Sequence, residues 1–229
     1  DAILESTPRE IDCEVQGLSL DQLKSALSLK YECLEVGKAF GVLKLRGLPA
    51  ELSLPRTETK TGTGHKGFSI EMDPHLPFER SCQRRDFTLN AIGLDPLSGE
   101  VLDPVNGTAD TQERILRHIG PAFSEDPLRV LRGMQFIARF NLSPHPQTLE
   151  LCSTIPIENL PSERLFEEWK KLILRGVNFT AGLTFLKETG WIQHFPELDA
   201  LVGCKQDPEW HPEGDVWVHT LHCMDAFAC

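Results

Sequence analysis

The chain has 229 residues, of which 40% are hydrophobic, and a formal net charge of −11. This apolar content is enough for a real core and argues against disorder, and no run of about eighteen apolar residues predicts a membrane span. The acidic balance argues against broad binding of nucleic acid backbones, which depends mostly on lysine and arginine.

The seven cysteines are scattered and include no C-x-x-C pair. They predict neither a disulfide framework nor a structural zinc site. The first residues, DAILESTPRE, lack the basic and apolar regions of a signal peptide, so a cytoplasmic location is expected. Because the sequence begins without methionine at Asp1 and stops at Cys229 inside an apolar pattern, we expect a piece of a longer protein.

The first part of the chain combines a helix with short strands. LSLDQLKSAL predicts a helix, because Ser19 can cap it, Gln22 occupies the capping-box position and leucines recur on one face. YECLEV, FGVLKLR and AELSLP alternate apolar with polar residues, as strands of a half-buried sheet do. TETKTGTGHKGF has no period and predicts a mobile loop. We expect a small α+β domain here.

From Pro121 onward, helical signals replace those of strands. LRVLRGMQFIARF, SERLFEEWKKLILRG and TAGLTFLKETGWI carry apolar residues at helical spacing, and Gly176 and Gly190 supply stop signals. The second of these segments has an apolar stripe that predicts core packing. Its members are Leu165, Phe166, Trp169, Leu172 and Ile173. The predicted fold class is α+β, with an α+β head followed by an all-helical part.

REIDCEV places Glu10 and Asp12 two residues apart. In a strand, both carboxylates point to the same face, where they could share a divalent ion. Magnesium prefers one or two carboxylates with substrate phosphate oxygens, and two such ions can activate a hydroxyl and stabilise a leaving pyrophosphate. Glu14 continues this face as a possible third ligand. The alternative is the solvated face of an edge strand.

QRRDFTLNAIG contains Arg84, Arg85 and Asp86 ahead of an apolar run. Arginine forks are the usual partners of phosphates and ribose hydroxyls, which favours a nucleotide contact. The alternative is a surface salt bridge between Asp86 and one of the two arginines, which would stabilise the fold little.

SEDPLRVLRG predicts the start of a helix. Ser124 is a candidate cap, Asp126 and Pro127 fit the first turn, and Arg129 and Arg132 follow on neighbouring parts of one face. Because aspartate only accepts and arginine only donates hydrogen bonds, the two match a base edge with an amino group beside a ring acceptor, as in cytosine and adenine. Uracil and guanine would leave buried polar groups unpaired. The alternative is an i,i+3 ion pair on an exposed face.

Three motifs in this order, EID, RRDFTLNA and EDPLRVLR, resemble those of the class II tRNA nucleotidyltransferase and poly(A) polymerase family, most closely its bacterial CCA-adding type. LPRTETKTGTGHKGF, DPVNGTADTQERILRHIGPAF and QDPEWHPEGDVWVHT are also similar to that family, so the resemblance covers nearly the whole chain. It implies a polymerase-beta-type head with a small mixed sheet over 1–118. A helical neck that selects the nucleotide and binds RNA would follow over 119–204, and the start of a helical body over 205–229.

The resemblance implies an enzyme that adds CCA, from CTP and ATP, to the 3′ end of tRNA and releases pyrophosphate. Glu10 and Asp12 would be catalytic and would hold Mg²⁺, with Glu10 in place of the commoner aspartate. The family's head begins with a glycine-rich turn before V-R-D, and Asp1 matches the aspartate of that triplet. Alternatives are CC-only or A-only addition, poly(A) polymerase activity, or a catalytically inactive RNA-binding relative.

The resemblance assigns nucleotide binding to two motifs. Arg85 would contact the nucleotide, while Arg84 and Asp86 would arrange the sugar and the site. Asp126 and Arg129 would form an amino-acid template for CTP and ATP, and Arg132 would reach the phosphates or the base. A local concentration of positive charge at the head–neck junction would receive the RNA end; it comprises Arg114, Arg117, His118, Arg129, Arg132 and Arg139.

The C-terminal stretch contains His211, Asp215 and His219 at spacings that could bind a metal ion. In some bacterial relatives this region opens a phosphohydrolase domain of the histidine-aspartate type. That domain needs a later His-Asp pair, and the sequence ends before one occurs. The alternative for His219 is a satisfied histidine at a capped helix start.

Overall fold

The computed structural model describes residues 10–36, 41–60, 68–158 and 160–228. Asp1, expected to match the V-R-D triplet, therefore lies outside the described residues. Two compact units divide the chain: unit 1 comprises residues 1–85 and 91–104, and unit 2 comprises residues 86–90 and 105–229. The domain boundaries at 118 and 204 stay a prediction. In the described ranges, no helix has the length and apolar character needed to cross a bilayer.

Unit 1 is built on a mixed sheet, as predicted. Its four strands are β1 Ile11–Glu14, β2 Cys33–Val36, β3 Val42–Leu45 and β4 Ala50–Ser53. They lie in the order β1-β4-β3-β2, with β1 parallel to β4 and the other pairs antiparallel. The parallel pair joins two strands that are distant in sequence.

Helix α1, Leu20–Leu27, covers one side of this sheet. Its capping box forms as predicted, with Ser19 accepting from the Gln22 amide and the Gln22 side chain accepting from the Ser19 amide. Leu23 packs with Leu43 and Leu54 in a core cluster. Burial of these leucines fixes which face of each strand points inward, so the charged residues of β1 and β4 point outward.

The segment TETKTGTGHKGF was predicted to be a loop, and that prediction is wrong at its ends. Strand β5, Arg56–Lys60, pairs antiparallel with strand β6, Phe68–Met72. Residues 61–67 lie outside the described part of the chain. The strand was missed because β5 is polar on both faces, so it lacks the apolar alternation that marks a half-buried strand.

The remaining elements of unit 1 are short. They are α2 Phe78–Ser81, β7 Gly93–Leu94 and β8 Val101–Leu102. Unit 2 carries the helical part of the chain with one small strand pair. Its elements are α3 Gly107–Gln112, β9 Ile115–Leu116, α4 Leu128–Phe140, β10 Ser143–Pro144, α5 Pro146–Thr154, α6 Ser162–Arg175, α7 Phe179–Glu188, α8 Pro196–Asp199 and α9 Val216–Phe227.

The three long helices predicted after Pro121 are confirmed as α4, α6 and α7. Helix α4 is the centre of unit 2, and α6 and α7 both pack against it. Gly182 of α7 lies so close to α4 that an added Cβ would meet the Met134 carbonyl oxygen at 2.7 Å. Gly190 stops α7 with a positive φ of 74°, a conformation that glycine adopts without strain.

The apolar stripe predicted for α6 is only partly correct. Leu172 is fully buried, but Phe166 is 63% exposed and Ile173 is 50% exposed. Glu168, which the stripe omits, is 3% exposed. The buried face of α6 runs through positions 164, 168 and 172, one turn apart, and its N-terminal half is charged.

Candidate functional site

The outward face of the unit 1 sheet gathers three carboxylates. Glu10 directly precedes β1 and Asp12 lies within it, and a spacing of two residues in an extended chain turns both side chains to the same side. The parallel register pairs Asp12 with Glu51 of β4. Adjacent strands lie about 4.8 Å apart, so these two side chains emerge next to each other. We call Glu10, Asp12 and Glu51 the acidic face.

The charges of the acidic face act on one another. Partial burial, then the negative charges of Glu51 and Glu10, raise the pKa of Asp12, while Arg85 and Lys44 oppose the rise. Lys44 of β3 forms a salt bridge with Glu51. A group of hard oxygen ligands with unfavourable mutual repulsion suits a small divalent cation.

Glu14, the predicted third ligand, has other partners. Its Oε1 accepts a hydrogen bond from the Ser81 hydroxyl at 2.6 Å. Its Oε2 lies 3.9 Å from Arg84 Nη2 and 3.7 Å from Arg85 Nη2. The structure therefore puts Glu51, and not Glu14, beside Asp12.

Arg84 and Arg85 are held by acidic residues of unit 1. Arg84 Nη1 lies 3.6 Å from Glu58 Oε1, in addition to its contact with Glu14. Burial, together with the nearby Arg56, lowers the pKa of Arg84 to about 10. The Arg85 guanidinium lies 5.8 Å from the centre of the Phe78 ring, a cation–π distance. The sequence alternative expected one of these two arginines to pair with Asp86.

Asp86 pairs instead with Arg132, and it is only 6% exposed. Its Oδ2 accepts from Arg132 Nε at 2.6 Å, and its Oδ1 accepts from the Phe87 amide and the Asn90 side chain. Burial alone would raise the pKa of Asp86, but Arg132 and Asn90 bring it below its usual range. The bonds from the Phe87 amide and Asn90 hold the Asp86 carboxylate in place, and the bond from Arg132 Nε then orients Arg132.

The start of α4 differs from its prediction in two details: Ser124 is not the cap, and Asp126 and Pro127 precede the first turn. Ser124 lies in a short 3₁₀ turn, Pro121–Glu125, and Pro127 directly precedes the helix. The N-cap position is Pro127, which has no side chain that can cap, and Asp126 before it accepts a hydrogen bond from the Leu128 amide at 3.2 Å through Oδ1. Asp126 is further bound by Arg164 of α6, whose Nη2 lies 2.8 Å from Oδ2.

Arg129 is anchored by the turn that precedes the helix. Its Nη1 donates to the Ala122 carbonyl oxygen at 2.8 Å. Its guanidinium also lies 6.0 Å from the centre of the Phe123 ring, and Phe123 is fully buried. The base-edge hypothesis requires a planar donor beside the Asp126 carboxylate acceptor, and these contacts hold the Arg129 guanidinium at the turn that contains Ala122 and Phe123.

Arginines of the predicted basic concentration also make contacts within unit 2. Arg114 donates to the Phe140 carbonyl oxygen, and Arg117 pairs with Asp110 at 2.9 Å. Arg139 donates to the Gln135 side chain and lies 4.7 Å from the centre of the Phe140 ring. Part of the positive charge expected to receive RNA therefore stabilises unit 2.

The histidines near the C-terminus form a second cluster. His211, Glu213 and His219 each offer one ligand atom, and these atoms all lie within 4.8 Å of one another. A hydrogen bond from its own backbone N–H, followed by one with His219, lowers the pKa of Glu213 to about 2. Asp215, predicted as a metal ligand, caps α9 through the Val218 amide and also accepts from the Gly203 amide. The cluster therefore contains Glu213 in its place.

The poly(A) polymerase head-domain profile matches residues 1–117, just over half of the chain. The chain belongs to this family. A second profile, described as "Probable RNA and SrmB- binding site of polymerase A", matches residues 142–202. The resemblance inferred from EID, RRDFTLNA and EDPLRVLR is thereby confirmed.

Similarity to curated relatives extends over all or nearly all of this chain. The chain is 41% identical over 236 residues to the "Multifunctional CCA protein" of Xanthomonas campestris pv. campestris strain B100, covering 100% of this chain and 56% of the relative. It is 38% identical to the protein of that name from Shewanella frigidimarina strain NCIMB 400, covering 98% of this chain and 55% of the relative. The chain thus spans a little over half the length of these relatives.

Solved structures share the fold of this family member. The Bacillus stearothermophilus CCA-adding enzyme in complex with CTP is 26% identical with a TM-score of 0.64, covering 83% of this chain and 46% of that enzyme. The Thermotoga maritima CCA-adding enzyme complexed with tRNA_CCA is 22% identical with a TM-score of 0.66, covering 92% and 48%. The predicted α+β fold with a nucleotidyltransferase head is confirmed.

Two residues of the site were missed by sequence reasoning. Glu51 lies in AELSLP, where the alternation already puts it on the face opposite Leu52. What the sequence did not show is that β4 pairs with β1, a strand distant in sequence. Arg164 gives no sequence signal beyond its place near a helix start, because its partner lies on another element.

Proposed function

We propose that this protein adds CCA to the 3′ end of tRNA, using CTP and ATP and releasing pyrophosphate. Similarity to proteins named for CCA, at 41% identity over the whole of this chain and 56% of the relative, carries this proposal. The acidic face and the Asp126–Arg129 pair supply the residue types that the reaction needs. A cytoplasmic location is part of the proposal, because tRNA and nucleoside triphosphates are found there.

The acidic face fits magnesium. Glu10 and Asp12 would hold it, and the register of β1 with β4 supports Glu51 as a further ligand. Magnesium takes carboxylate and phosphate oxygens, and when bound it would activate the tRNA 3′-hydroxyl and neutralise charge on the leaving pyrophosphate. The protein's own contribution is to hold these oxygens on a rigid sheet, since phosphoryl transfer depends mostly on positioning and electrostatics.

Nucleotide contacts are assigned to the arginine-rich motifs. Arg84 and Arg85 would contact the phosphates and the sugar, because an arginine fork can bind such oxygens bidentately. Arg132 would reach the phosphates or the base, and Asp86 would act through Arg132, which it already binds at 2.6 Å. Base selection would belong to Asp126 as acceptor and Arg129 as donor.

The activity is tested by supplying purified protein with a tRNA transcript that lacks its 3′ end. Each of the four nucleoside triphosphates is given separately and then in combination, and the added residues are identified. We expect two cytidines followed by one adenosine. Cytidines alone or a single adenosine would show the CC-only or A-only enzyme, and long adenosine tails would show a poly(A) polymerase. RNA binding without addition would show an inactive relative.

The template assignment has its own test. Asp126→Asn keeps the shape of the side chain but replaces part of its acceptor capacity with a donor. We expect the preference for CTP and ATP over UTP and GTP to fall by about a hundredfold, the size typical for a site that leaves a polar group unpaired. An unchanged preference would contradict the assignment of Asp126.

We also propose a divalent-ion site separate from the acidic face, formed by His211, Glu213 and His219. The closeness of their three ligand atoms supports it, and two imidazoles with a carboxylate suit zinc, nickel or iron. Titration with Zn²⁺ or Ni²⁺ should show one site that His219→Ala removes. His222→Ala, on the same helix and outside the cluster, is the control. Equal binding by the two variants would contradict this site.

A further inference from the structure

Two charged side chains of α6 face the start of α4. Arg164, in the first turn of α6, donates to both oxygens of Asp126, with Nη2 at 2.8 Å from Oδ2 and Nη1 at 3.4 Å from Oδ1. One turn later comes Glu168, which is 3% exposed. Helix α6 thus places the positive charge of Arg164 on Asp126, and the buried negative charge of Glu168 one turn further along the helix.

Glu168 interacts electrostatically with Arg132 of α4. Burial by itself would lower the pKa of Arg132, but Asp86 first, and then Glu168 and Asp126, raise it above its ordinary value. Glu168 Oε1 accepts from Lys171, and within the described part of the chain its Oε2 has no hydrogen-bond partner although it is buried. The charges of α6 are therefore complementary to Asp126 and Arg132.

The position of Arg164 follows from the helix period. Residues 164, 168 and 172 are each one turn apart and share a face. Leu172 is fully buried, and α6 packs along α4. The apolar contact at Leu172 therefore fixes the helix so that its N-terminal turn points Arg164 at Asp126. The ion pair is not sealed from solvent, since the side chains are 31% and 21% exposed.

Bonds to Asp126 distinguish its two oxygens. Oδ1 accepts from the Leu128 amide at 3.2 Å and from Arg164 Nη1. Oδ2 accepts from Arg164 Nη2, and this is its one hydrogen bond among the residues described. Because a carboxylate oxygen has about two acceptor sites, Oδ2 keeps one site for a further donor.

We propose that Arg164 is a positioning residue for base selection: it fixes the Asp126 carboxylate so that Oδ2 receives the amino group of cytosine or adenine. The inference rests on the proposed function. A carboxylate held by a bidentate guanidinium cannot rotate to let water bridge a mismatched carbonyl group, so uracil and guanine meet a fixed acceptor and leave it unpaired. Without Arg164 the same carboxylate can rotate.

The test compares Arg164→Met and Arg164→Lys with the wild type. Single-nucleotide addition to tRNA transcripts is measured with each triphosphate, and kcat and KM are determined separately. We expect Arg164→Met to lower the preference for CTP over UTP by at least about tenfold, with Arg164→Lys intermediate because lysine keeps the charge but loses the fork. Arg175→Met, in the exposed last turn of α6, is the matched control and should keep the wild-type preference.

Loss of stability and loss of selection can be separated. Thermal unfolding identifies a variant that fails to fold, and in that case Arg164→Lys carries the test. In the Asp126→Asn background, Arg164→Met should cause no further loss of preference, because the residue it orients is already changed. A wild-type preference in folded Arg164→Met, or a further loss in that background, would overturn the inference. A wild type that adds no nucleotide would instead overturn the proposed function, and this inference with it.

Discussion

The sheet of unit 1 and the start of α4 in unit 2 treat charge in opposite ways. On the sheet, Glu10, Asp12 and Glu51 gather negative charge on one face, and the pKa of Asp12 is raised, first by burial and then by its acidic neighbours. At the helix, Asp86 is paired with Arg132 and Asp126 with Arg164. On the sheet face, negative charge exceeds the positive charge that Lys44 brings through its salt bridge with Glu51, whereas at the helix each of the two carboxylates has its own arginine.

The difference indicates two kinds of ligand. Repulsion among the carboxylates raises the free energy of the empty acidic face, and a bound cation lowers it. The acidic face therefore suits a metal ion. A network of paired charges gains little from a further ion, but its fixed donors and acceptors can discriminate between neutral polar groups such as base edges. The four predictions below test this contrast, from the largest expected effect to the smallest.

Asp12→Ala should abolish nucleotide addition, by at least about a thousandfold, which corresponds to about 4 kcal/mol in the barrier. The reason is loss of a metal ligand at the centre of the acidic face. The unfolding temperature should stay the same or rise, because a source of repulsion is removed. Glu71→Ala, an exposed carboxylate on β6, is the control. Turnover by Asp12→Ala within tenfold of the wild type would remove Asp12 from the metal site.

Asp86→Ala should destabilise unit 2 by about 3 kcal/mol, because it leaves a partly buried Arg132 without its partner. Since the folded-state pKa of Asp86 is depressed, its contribution is present above the unfolded pKa of about 3.9 and is lost as the pH falls through the folded value. Urea unfolding should therefore show a smaller difference from the wild type at about pH 3 than at pH 7. An equal difference at both would contradict the pairing.

Glu51→Gln should slow addition by about a hundredfold, or about 2.7 kcal/mol, and should raise the magnesium concentration needed for half-maximal rate. Lys44→Met should have the opposite effect on the magnesium requirement, since it removes the cation that neutralises Glu51. Both are measured as rate against magnesium concentration. A wild-type magnesium dependence in Glu51→Gln would show that this carboxylate stays outside the metal site.

Phe166→Ser should change the free energy of unfolding by less than about 0.5 kcal/mol, because this side chain is 63% exposed. Leu172→Ala, on the buried face of the same helix, should cost about 2–5 kcal/mol. Chemical unfolding of the two variants distinguishes the observed face of α6 from the predicted stripe. Similar losses at the two positions would restore the stripe.

Local signals predicted the elements well, while pairing between distant elements was not accessible from the sequence. Ser19 and Gln22 identified the start of α1, and Gly176 and Gly190 identified helix ends, because these signals act within one turn of the chain. The stripe of α6 was only partly correct because Glu168 can be buried when Lys171, on the same helix, and Arg132, on α4, balance its charge. Hydrophobicity alone cannot show such compensation.

The candidate site follows the same division. Glu10 and Asp12 were found because strand alternation determines their common face. Asp126 was found, but its partner Arg164 was not, since the pair depends on how α6 packs on α4. Glu51 lies beside Asp12, where Glu14 was expected, because the neighbours of Asp12 depend on which strand pairs with β1, and a single sequence does not give that order.

Because Asp12 and Glu51 come from two strands that are distant in sequence, their carboxylates become neighbours only when β4 pairs with β1. A cation would then bind these carboxylates only in chains in which the sheet of unit 1 has formed. An ion that binds only the finished sheet stabilises it by mass action, so magnesium would serve as a folding ligand before any nucleotide arrives.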